Sequence, residues 1–418
     1  MSPTPSVLDR TAQFGSASHL VCRECGAQYD IGPSHVCEMC FGPLEIAYDE
    51  SLQRLVTRKT IEAGPQTMWR YAGLLPAAPV VDTEVGMTRL VRVDNLAREL
   101  GMKSLWVKDD SGNPTHSFKD RVVAVAANAA RALGFDVLSC ASTGNLANAV
   151  AAAAASAGLK SVVFIPHDLE AGKVVTTAVY GGTLVAVEGS YDDVNRLCAE
   201  VAGELPWAFV NVNVRPFYAE GSKTVGYEIA EQLGWRLPEQ VVIPIASGSL
   251  LTKVDKAWRE MAKLGLVEAT PYKVFGAQST GCSPVSAAFR AGHDVVQPVR
   301  PSGIAKSLAI GNPADGPYAL DVVRRTGGAI EDVSDEEVVE GIRLLARTTG
   351  IFGETAGGVT VATLRKLIAT GQLDPEAETV ILNTGDGLKT LDAVEAVARP
   401  TATIPATLEA FRAAGLDR

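Results

Sequence analysis

Nine residues, Asn113-Pro-Thr-His-Ser-Phe-Lys119-Asp-Arg, put an amine where open α/β folds place their ligands. The apolar run at 104–107 reads as a strand, and 122–133 reads as a helix. Asn113-Pro114 turns the chain between them, because proline fixes its own φ and drives its predecessor out of the α region. Ser117 or a neighbour is predicted to cap the helix. A lysine at a strand end and a helix mouth can hold a carbonyl-bearing cofactor covalently. Taken alone, the same residues also fit a surface lysine at a helix start.

A second chemistry lies nearer the N-terminus. Cys22-x2-Cys25 is followed by eleven residues and then by Cys37-x2-Cys40. Each pair forms a tight knuckle, and two knuckles aim four thiolates at one tetrahedral zinc. Four thiolates close the coordination sphere, so the ion would be structural. Gly26, Gly32 and Pro33 supply the turns. So small a segment buries little core, and the ion would supply its stability. A ribbon that no longer binds metal, or a pair of disulfides, fits the same cysteines.

The elements that must position these groups read as alternating strands and helices. Strands are predicted at Val137–Ala141, 161–165, Thr183–Val187, 208–212, 241–245, 274–277 and Thr379–Asn383, with a shorter one at Val80-Val81. Helices lie between most of them, including 146–157. This alternation predicts parallel sheet covered by helices on both faces. The informative loops follow the strands. Ser142-Thr143-Gly144-Asn145 offers hydroxyls and helix-start N–H groups to an anion such as a substrate carboxylate. Ala246-Ser247-Gly248-Ser249-Leu250 suits a phosphate monoester and has neither P-loop nor dinucleotide spacing. Thr384-Gly-Asp-Gly-Leu-Lys389 lets backbone approach a ligand, with Thr384 free to meet a ring nitrogen. Gly86-Met87-Thr88 adds a further hydroxyl on a turn.

The 418 residues exceed one compact core, so two or more domains are expected. Net charge is −10 with no basic block, which argues against nucleic acid as a partner. Residues 1–10 lack a signal-peptide core, and 147–157 is too short to span a bilayer. A cytoplasmic protein without a membrane partner is expected.

These motifs, together with Glu220-Gly-Ser-Lys-Thr224, occur in an order and spacing that resemble the threonine synthases. Those are fold-type II pyridoxal-phosphate (PLP) enzymes of the tryptophan-synthase β family. The likeness runs from about Trp69 to about Val394, and the cysteine ribbon resembles an N-terminal extension of some members. It implies an α/β fold in two domains, with parallel-rich sheets flanked by helices and a small N-terminal zinc-ribbon segment. The ribbon and linker would span 1–57, the large PLP domain 58–130 and 215–418, and a small α/β domain 131–214.

The resemblance also implies roles. Lys119 would carry PLP as a Schiff base, with Phe118 beside it, and would shuttle protons as general base and acid. Asn145 would bond the cofactor 3′-hydroxyl. Ser247, Gly248, Ser249 and Leu250 would cradle its phosphate, and Thr384 would face its pyridine nitrogen. Ser142, Thr143 and Thr88 would hold the substrate carboxylate. The implied reaction converts O-phospho-L-homoserine and water to L-threonine and phosphate, in a homodimer. Runner-up activities are β-replacement on O-phosphoserine or a related amino acid, as in cysteate synthase-like relatives, and a non-catalytic PLP paralogue. The departures from the family pattern cluster on the substrate side. His116 stands where glycine is common, and Tyr218 stands where an arginine would grip the leaving phosphate, with Arg215 a substitute three residues back. Phe352-Gly-Glu354-Thr-Ala stands where Glu-Pro-Ala-Ser is common.

Overall fold

The computed structural model describes residues 13–81, 84–142, 144–167, 171–189 and 191–416. The chain first makes an antiparallel ribbon from β1 (Ala17–Cys22), β2 (Gln28–Tyr29) and β3 (Leu44–Tyr48), in the order β2-β1-β3. It lays down β4 (Arg89–Arg92) and β5 (Leu105–Asp109). It then leaves to build a separate parallel sheet from β6 (Val137–Ala141), β7 (Lys160–Pro166), β8 (Thr183–Val187) and β9 (Ala208–Phe209), ordered β8-β7-β6-β9. It returns with β10 (Gln240–Pro244), β11 (Lys273–Ser279), β12 (Ile330–Val333) and β13 (Thr379–Asn383). The resulting six-stranded sheet runs β12-β11-β10-β13-β5-β4, parallel except for β4 at its edge.

Strand periodicity explains the two-sided burial. Val241 and Ile243 point into one hydrophobic cluster while Val242 points into another, and Val380, Ile381 and Leu382 alternate likewise. The first cluster is continuous from Leu20 and Ile46 of the ribbon through Val122 and Trp258 to Leu138 and Val163 of the second sheet. One core therefore ties the ribbon to both sheets. Among the described residues no helix is long and apolar enough to cross a membrane.

Four expectations change. Val80-Val81 is not a strand, because both N–H groups are taken by the Asn128 side chain at 2.8 Å. The helix predicted at 122–133 begins earlier and spans Lys119–Ala132, with Phe118 at its N-cap and no side-chain cap. Ser117 does not cap it, because its backbone is drawn into a bridge with Gly385. β9 stops at Phe209, where the Asn213 side chain takes the Phe209 N–H at 2.9 Å.

Candidate active site

The Lys119 loop is held from below by buried charge. β5 ends at Asp109, and Asp110–Gly112 makes one 3₁₀ turn before the loop. Asp120 closes the loop upstream, accepting from the Thr115 N–H and hydroxyl at 2.7 Å each. Arg121, fully buried, donates from Nε to Asp110 Oδ2 at 2.7 Å and from Nη1 to Glu228 Oε1 at 2.5 Å. Lys108 reaches Glu228 Oε2 at 2.6 Å. Burial alone would raise the Glu228 carboxyl, but Arg121 and Lys108 hold it down at about 2. Lys119 is thus fixed within one helical turn of a clamp joining β5, its own helix and the helix Lys223–Gln232. His116 sits at φ +62°, a left-handed conformation that favours glycine.

Above the clamp, three loops pair edge to edge. The Phe118 N–H donates to the Thr384 carbonyl at 2.9 Å, and the Asp386 N–H donates to the His116 carbonyl at 3.0 Å. The Glu354 N–H donates to the Gly385 carbonyl at 3.0 Å, and the Gly387 N–H donates to the Phe352 carbonyl at 2.9 Å. Closeness forces the glycines: a Cβ on Gly385 would lie 2.6 Å from the Glu354 carboxyl carbon. The loops bring Lys119, Thr384, Asn145 and Glu354 together. Glu354, 2% exposed, accepts from Asn145 Nδ2 at 2.9 Å and from Thr384 Oγ1 at 3.3 Å. Burial pushes its carboxyl up, opposed by the Asn145 bond, by Lys389 and Thr384, and by Lys119. Lys119 Nζ lies 4.4 Å from the Phe118 ring centroid and 5.9 Å from that of Tyr218. Lys389 donates to Asn148 Oδ1 at 2.9 Å, and burial lowers its pKa against the pull of Glu354, Asp120 and Asp386.

The Ser247–Ser249 turn follows β10. Gly248 is at φ +94°, and the helix Ser249–Lys263 opens without a side-chain cap. The first N–H groups of a helix have no intrahelical partner. Those of Leu250 and Leu251 therefore suit an anion. The Asp315 N–H donates to the Ser247 carbonyl at 2.9 Å and holds the turn. The site also contains orphaned buried polar atoms: Ser117 Oγ and Thr355 Oγ1, flanking Lys119 and Glu354, have no hydrogen-bond partner among the described residues. An uncapped phosphate-sized cradle, convergent polar groups and unsatisfied hydroxyls fit a polar, phosphorylated cofactor such as PLP.

Other sequence-predicted residues lie elsewhere or are committed. Thr88 spends its hydroxyl on the clamp, donating to Asp110 Oδ1 at 2.6 Å and accepting from Arg121 Nη2 at 2.9 Å. Arg215 donates to Asp315 Oδ2 at 2.8 Å, beside the Ser247 turn. His116 is exposed, and its Nδ1 lies 3.3 Å from the Ser111 carbonyl. Ser142 accepts from the Gly144 N–H at 3.4 Å, at the start of the helix Asn145–Ala157. Thr143 lies outside the described residues. The Glu220–Thr224 motif divides: Thr224 Oγ1 accepts from Arg121 Nη1 of the clamp at 3.1 Å, and the motif's charged residues lie elsewhere. Glu220 and Lys223 pair at 2.9 Å in a buried network that takes in Tyr48 of the ribbon. Sequence reasoning missed Glu354 as a site residue; its signal was an acid placed just before the apolar helix Thr355–Ala369.

The four cysteine sulfurs lie within 4.8 Å of one another. Cys22 and Cys40 are 3.4 Å apart, and Cys25 and Cys37 are 3.6 Å apart. The Tyr29 hydroxyl, 3.1 Å from Cys37 Sγ, holds that thiol down at about 6. No pair of them is bonded as a disulfide.

Comparison with known proteins follows this geometry. Residues 81–385 match the family described as pyridoxal-phosphate dependent enzyme. A threonine synthase of Methanocaldococcus jannaschii is 38% identical over 379 residues, 89% of this chain and 93% of the relative. One from Methanosarcina acetivorans is 36% identical, covering 95% of this chain and 98% of the relative. One from Mycobacterium tuberculosis is 32% identical over 80% of this chain and 91% of the relative. Among solved structures, maize serine racemase superposes with a TM-score of 0.61 over 79% of this chain and 94% of its own, at 20% identity. An O-ureido-L-serine synthase superposes at 0.62 over 80% of this chain and 98% of its own, at 21% identity. These two likenesses concern the fold.

Proposed function

The chain belongs to the pyridoxal-phosphate dependent enzymes, in their threonine synthase branch, and we propose how its own residues carry that reaction. The reaction takes O-phospho-L-homoserine and water to L-threonine and phosphate: the Cγ–O bond to phosphate breaks, and water oxygen ends on Cβ. When bound, PLP supplies the electron sink for charge left on the substrate carbons as protons depart. Lys119 Nζ holds the cofactor at rest and, once displaced by the substrate amine, takes and returns the protons at Cα, Cβ and Cγ. Asn145 and Thr384 hold the cofactor ring by its 3′-hydroxyl and its pyridine nitrogen. Glu354 positions Asn145 and, without the cofactor, Thr384. With the cofactor bound, the Thr384 hydroxyl would turn its single proton from Glu354 to the pyridine nitrogen, and that neutral partner would leave the nitrogen unprotonated and moderate the sink. The N–H groups of Leu250 and Leu251, with Ser247 and Ser249, hold the cofactor phosphate at the uncapped helix start. Phe118 and Tyr218 shield the Lys119 amine from bulk water, and Ser142 with Thr143 receives the substrate carboxylate.

The pairing of the Lys119 loop onto the Thr384 loop supports this assignment, together with Glu354, which bonds Asn145 and Thr384 and feels the Lys119 charge. Arg215 is tied to Asp315, so substrate phosphate recognition falls to the exposed His116 and to Tyr218, whose ring centroid lies 5.9 Å from Lys119 Nζ. Turnover of phosphohomoserine against phosphoserine tests the reading. Threonine from the first and no comparable phosphate release from the second supports it; the reverse preference sinks it.

The cysteine cluster is assigned a structural zinc, supported by four sulfurs gathered around one point. One zinc per chain, released on thiol modification with loss of ribbon structure, is the expected assay; metal-free protein with an unchanged melting temperature contradicts it. The division into 1–57, 58–130 with 215–418, and 131–214 is supported by the separate parallel sheet at 137–209. A cytoplasmic homodimer completes the reading, tested by sedimentation and cell fractionation.

A further inference from the structure

Away from Lys119, a polar cavity opens where the ribbon meets the helices Ser249–Lys263 and Gly316–Thr326. Its volume is about 140 Å³. Its wall carries five cations, Arg23, Lys253, Lys256, Arg259 and Arg325, against two carboxylates, Glu45 and Asp321. Cations exceed carboxylates by three among the lining side chains, and Glu220, Asp255 and Asp315 behind the wall offset that difference. The sequence arranges it by helical spacing: Thr252, Lys256 and Arg259 recur at i, i+4 and i+7 and share a face. The ribbon adds Arg23 from within its first cysteine knuckle.

Carboxylates behind the wall orient these cations. Glu220 Oε1 accepts from Lys253 and Lys256 at 2.8 Å each. Asp255 Oδ2 accepts from Arg259 Nε at 2.8 Å and from Arg325 Nη2 at 2.7 Å. Asp315 Oδ1 lies 3.4 Å from Arg23 Nη1. Those charges weaken the cavity's field at a distance. Selection therefore falls to ligands that take several N–H donors at contact range. Arg259 and Arg325 each commit one nitrogen to Asp255, and a guanidinium has about five N–H donors. Lys256 and Arg259 are rooted three residues apart on one helix, about 4.5 Å along its axis, which suits two linked phosphates better than one.

The geometry points to a second ligand site at this seam, distinct from the Lys119 site, that binds a small polyanion bearing a diphosphate group. None of Lys119, Asn145, Ser247 or Thr384 lines it, and the inference does not rest on the reaction assigned above. Holoenzyme of assayed PLP and zinc content is titrated with sodium pyrophosphate, and separately with orthophosphate, by calorimetry at low salt. One pyrophosphate should bind per chain, at least about tenfold tighter than orthophosphate, the difference of one charge-assisted hydrogen bond.

The variant Lys256→Gln with Arg259→Gln keeps each inner carboxylate paired. Glu220 retains Lys253 and Lys223, and Asp255 retains Arg325 and the Tyr272 hydroxyl. It should weaken pyrophosphate binding at least about tenfold, with cofactor absorbance unchanged and a single cooperative unfolding transition retained, although losing the Lys256 pairs to Glu45 and Glu220 lowers the melting temperature somewhat. Asp321→Asn removes a repelling carboxylate and should tighten binding about threefold, an effect that loss of structure does not produce. No saturable binding to wild type, equal affinity in the double variant, or orthophosphate binding as tightly as pyrophosphate would overturn the proposal.

Discussion

Replacing Gly248 by alanine should damage cofactor binding while leaving Lys119, Asn145 and Thr384 untouched. Gly248 is at φ +94°, where a side chain is strained by about 1–2 kcal/mol. The methyl carbon would lie 2.7 Å from the Asp315 carbonyl oxygen and 2.9 Å from its carbonyl carbon. Both are backbone atoms and cannot rotate away. Asp315 is itself pinned, by its N–H to the Ser247 carbonyl at 2.9 Å and by Arg215 at 2.8 Å. The turn must therefore give way by a good fraction of an ångström. The N–H groups of Leu250 and Leu251 move with it. Misaligning one charge-assisted hydrogen bond to the cofactor phosphate costs about 1.5–3 kcal/mol, so the Kd for PLP should rise by roughly tenfold to a hundredfold or more. The assay is a PLP titration of the apoenzyme followed by absorbance, with the reduced-pyridoxyl site mapped to confirm that Lys119 still reacts. A Kd within about twofold of wild type would refute the placement of the phosphate at this turn.

Arg121→Met leaves Asp110 and Glu228 buried with only Lys108 between them, and should cost about 3–5 kcal/mol in urea unfolding; a loss below about 1 kcal/mol would contradict the clamp. Burial alone would raise Glu45, but Lys253, Lys256 and Arg23 hold it at about 2, below its ordinary 4.5. This pairing stabilises the fold above pH 4.5, by about 3 kcal/mol at most, and the contribution is lost as pH falls from 4.5 to about 2. Melting temperatures across that window should fall steeply in wild type and less steeply in Glu45→Gln; parallel curves would count against it. Glu354→Gln turns one of its two acceptors into a donor facing Asn145 or Thr384, and should lower kcat about tenfold and shift the cofactor absorbance, with little change in melting temperature. An unchanged spectrum would show that Glu354 does not position the ring-binding side chains.

Much of the scaffold was legible because parallel strands buried on both faces are unbroken apolar runs. Val137–Ala141 and Thr379–Asn383 are found with the bounds their residues predict, and so is Thr183–Val187, a partly exposed edge strand marked by its apolar run alone. β4 and β12 were not foreseen: Arg-Leu-Val-Arg and Ile-Glu-Asp-Val are short and charged, as edge strands are. The loops after strands announced themselves through Gly, Ser and Asn. What stayed hidden were the contacts made over long separations. Glu354 and Asn145 lie 209 residues apart, and nothing local says that one will meet the other. The same holds for Thr88, whose hydroxyl looked available on its turn but is consumed by Asp110 and by Arg121, 33 residues on. Arg215 was placed with the substrate by its nearness to Tyr218 in sequence; three residues apart on one short helix, they face Asp315 and Lys119.

The central claim is that Lys119, and no other amine, carries the cofactor. Reducing the holoenzyme with borohydride fixes the pyridoxyl group where it sits, and peptide mass spectrometry then locates it. The pyridoxyl mass should fall on the peptide containing Lys119 at one group per chain and vanish in Lys119→Ala, with the cofactor's visible absorbance. A label on Lys389, the other lysine facing Glu354, or one that survives in Lys119→Ala, would contradict the account.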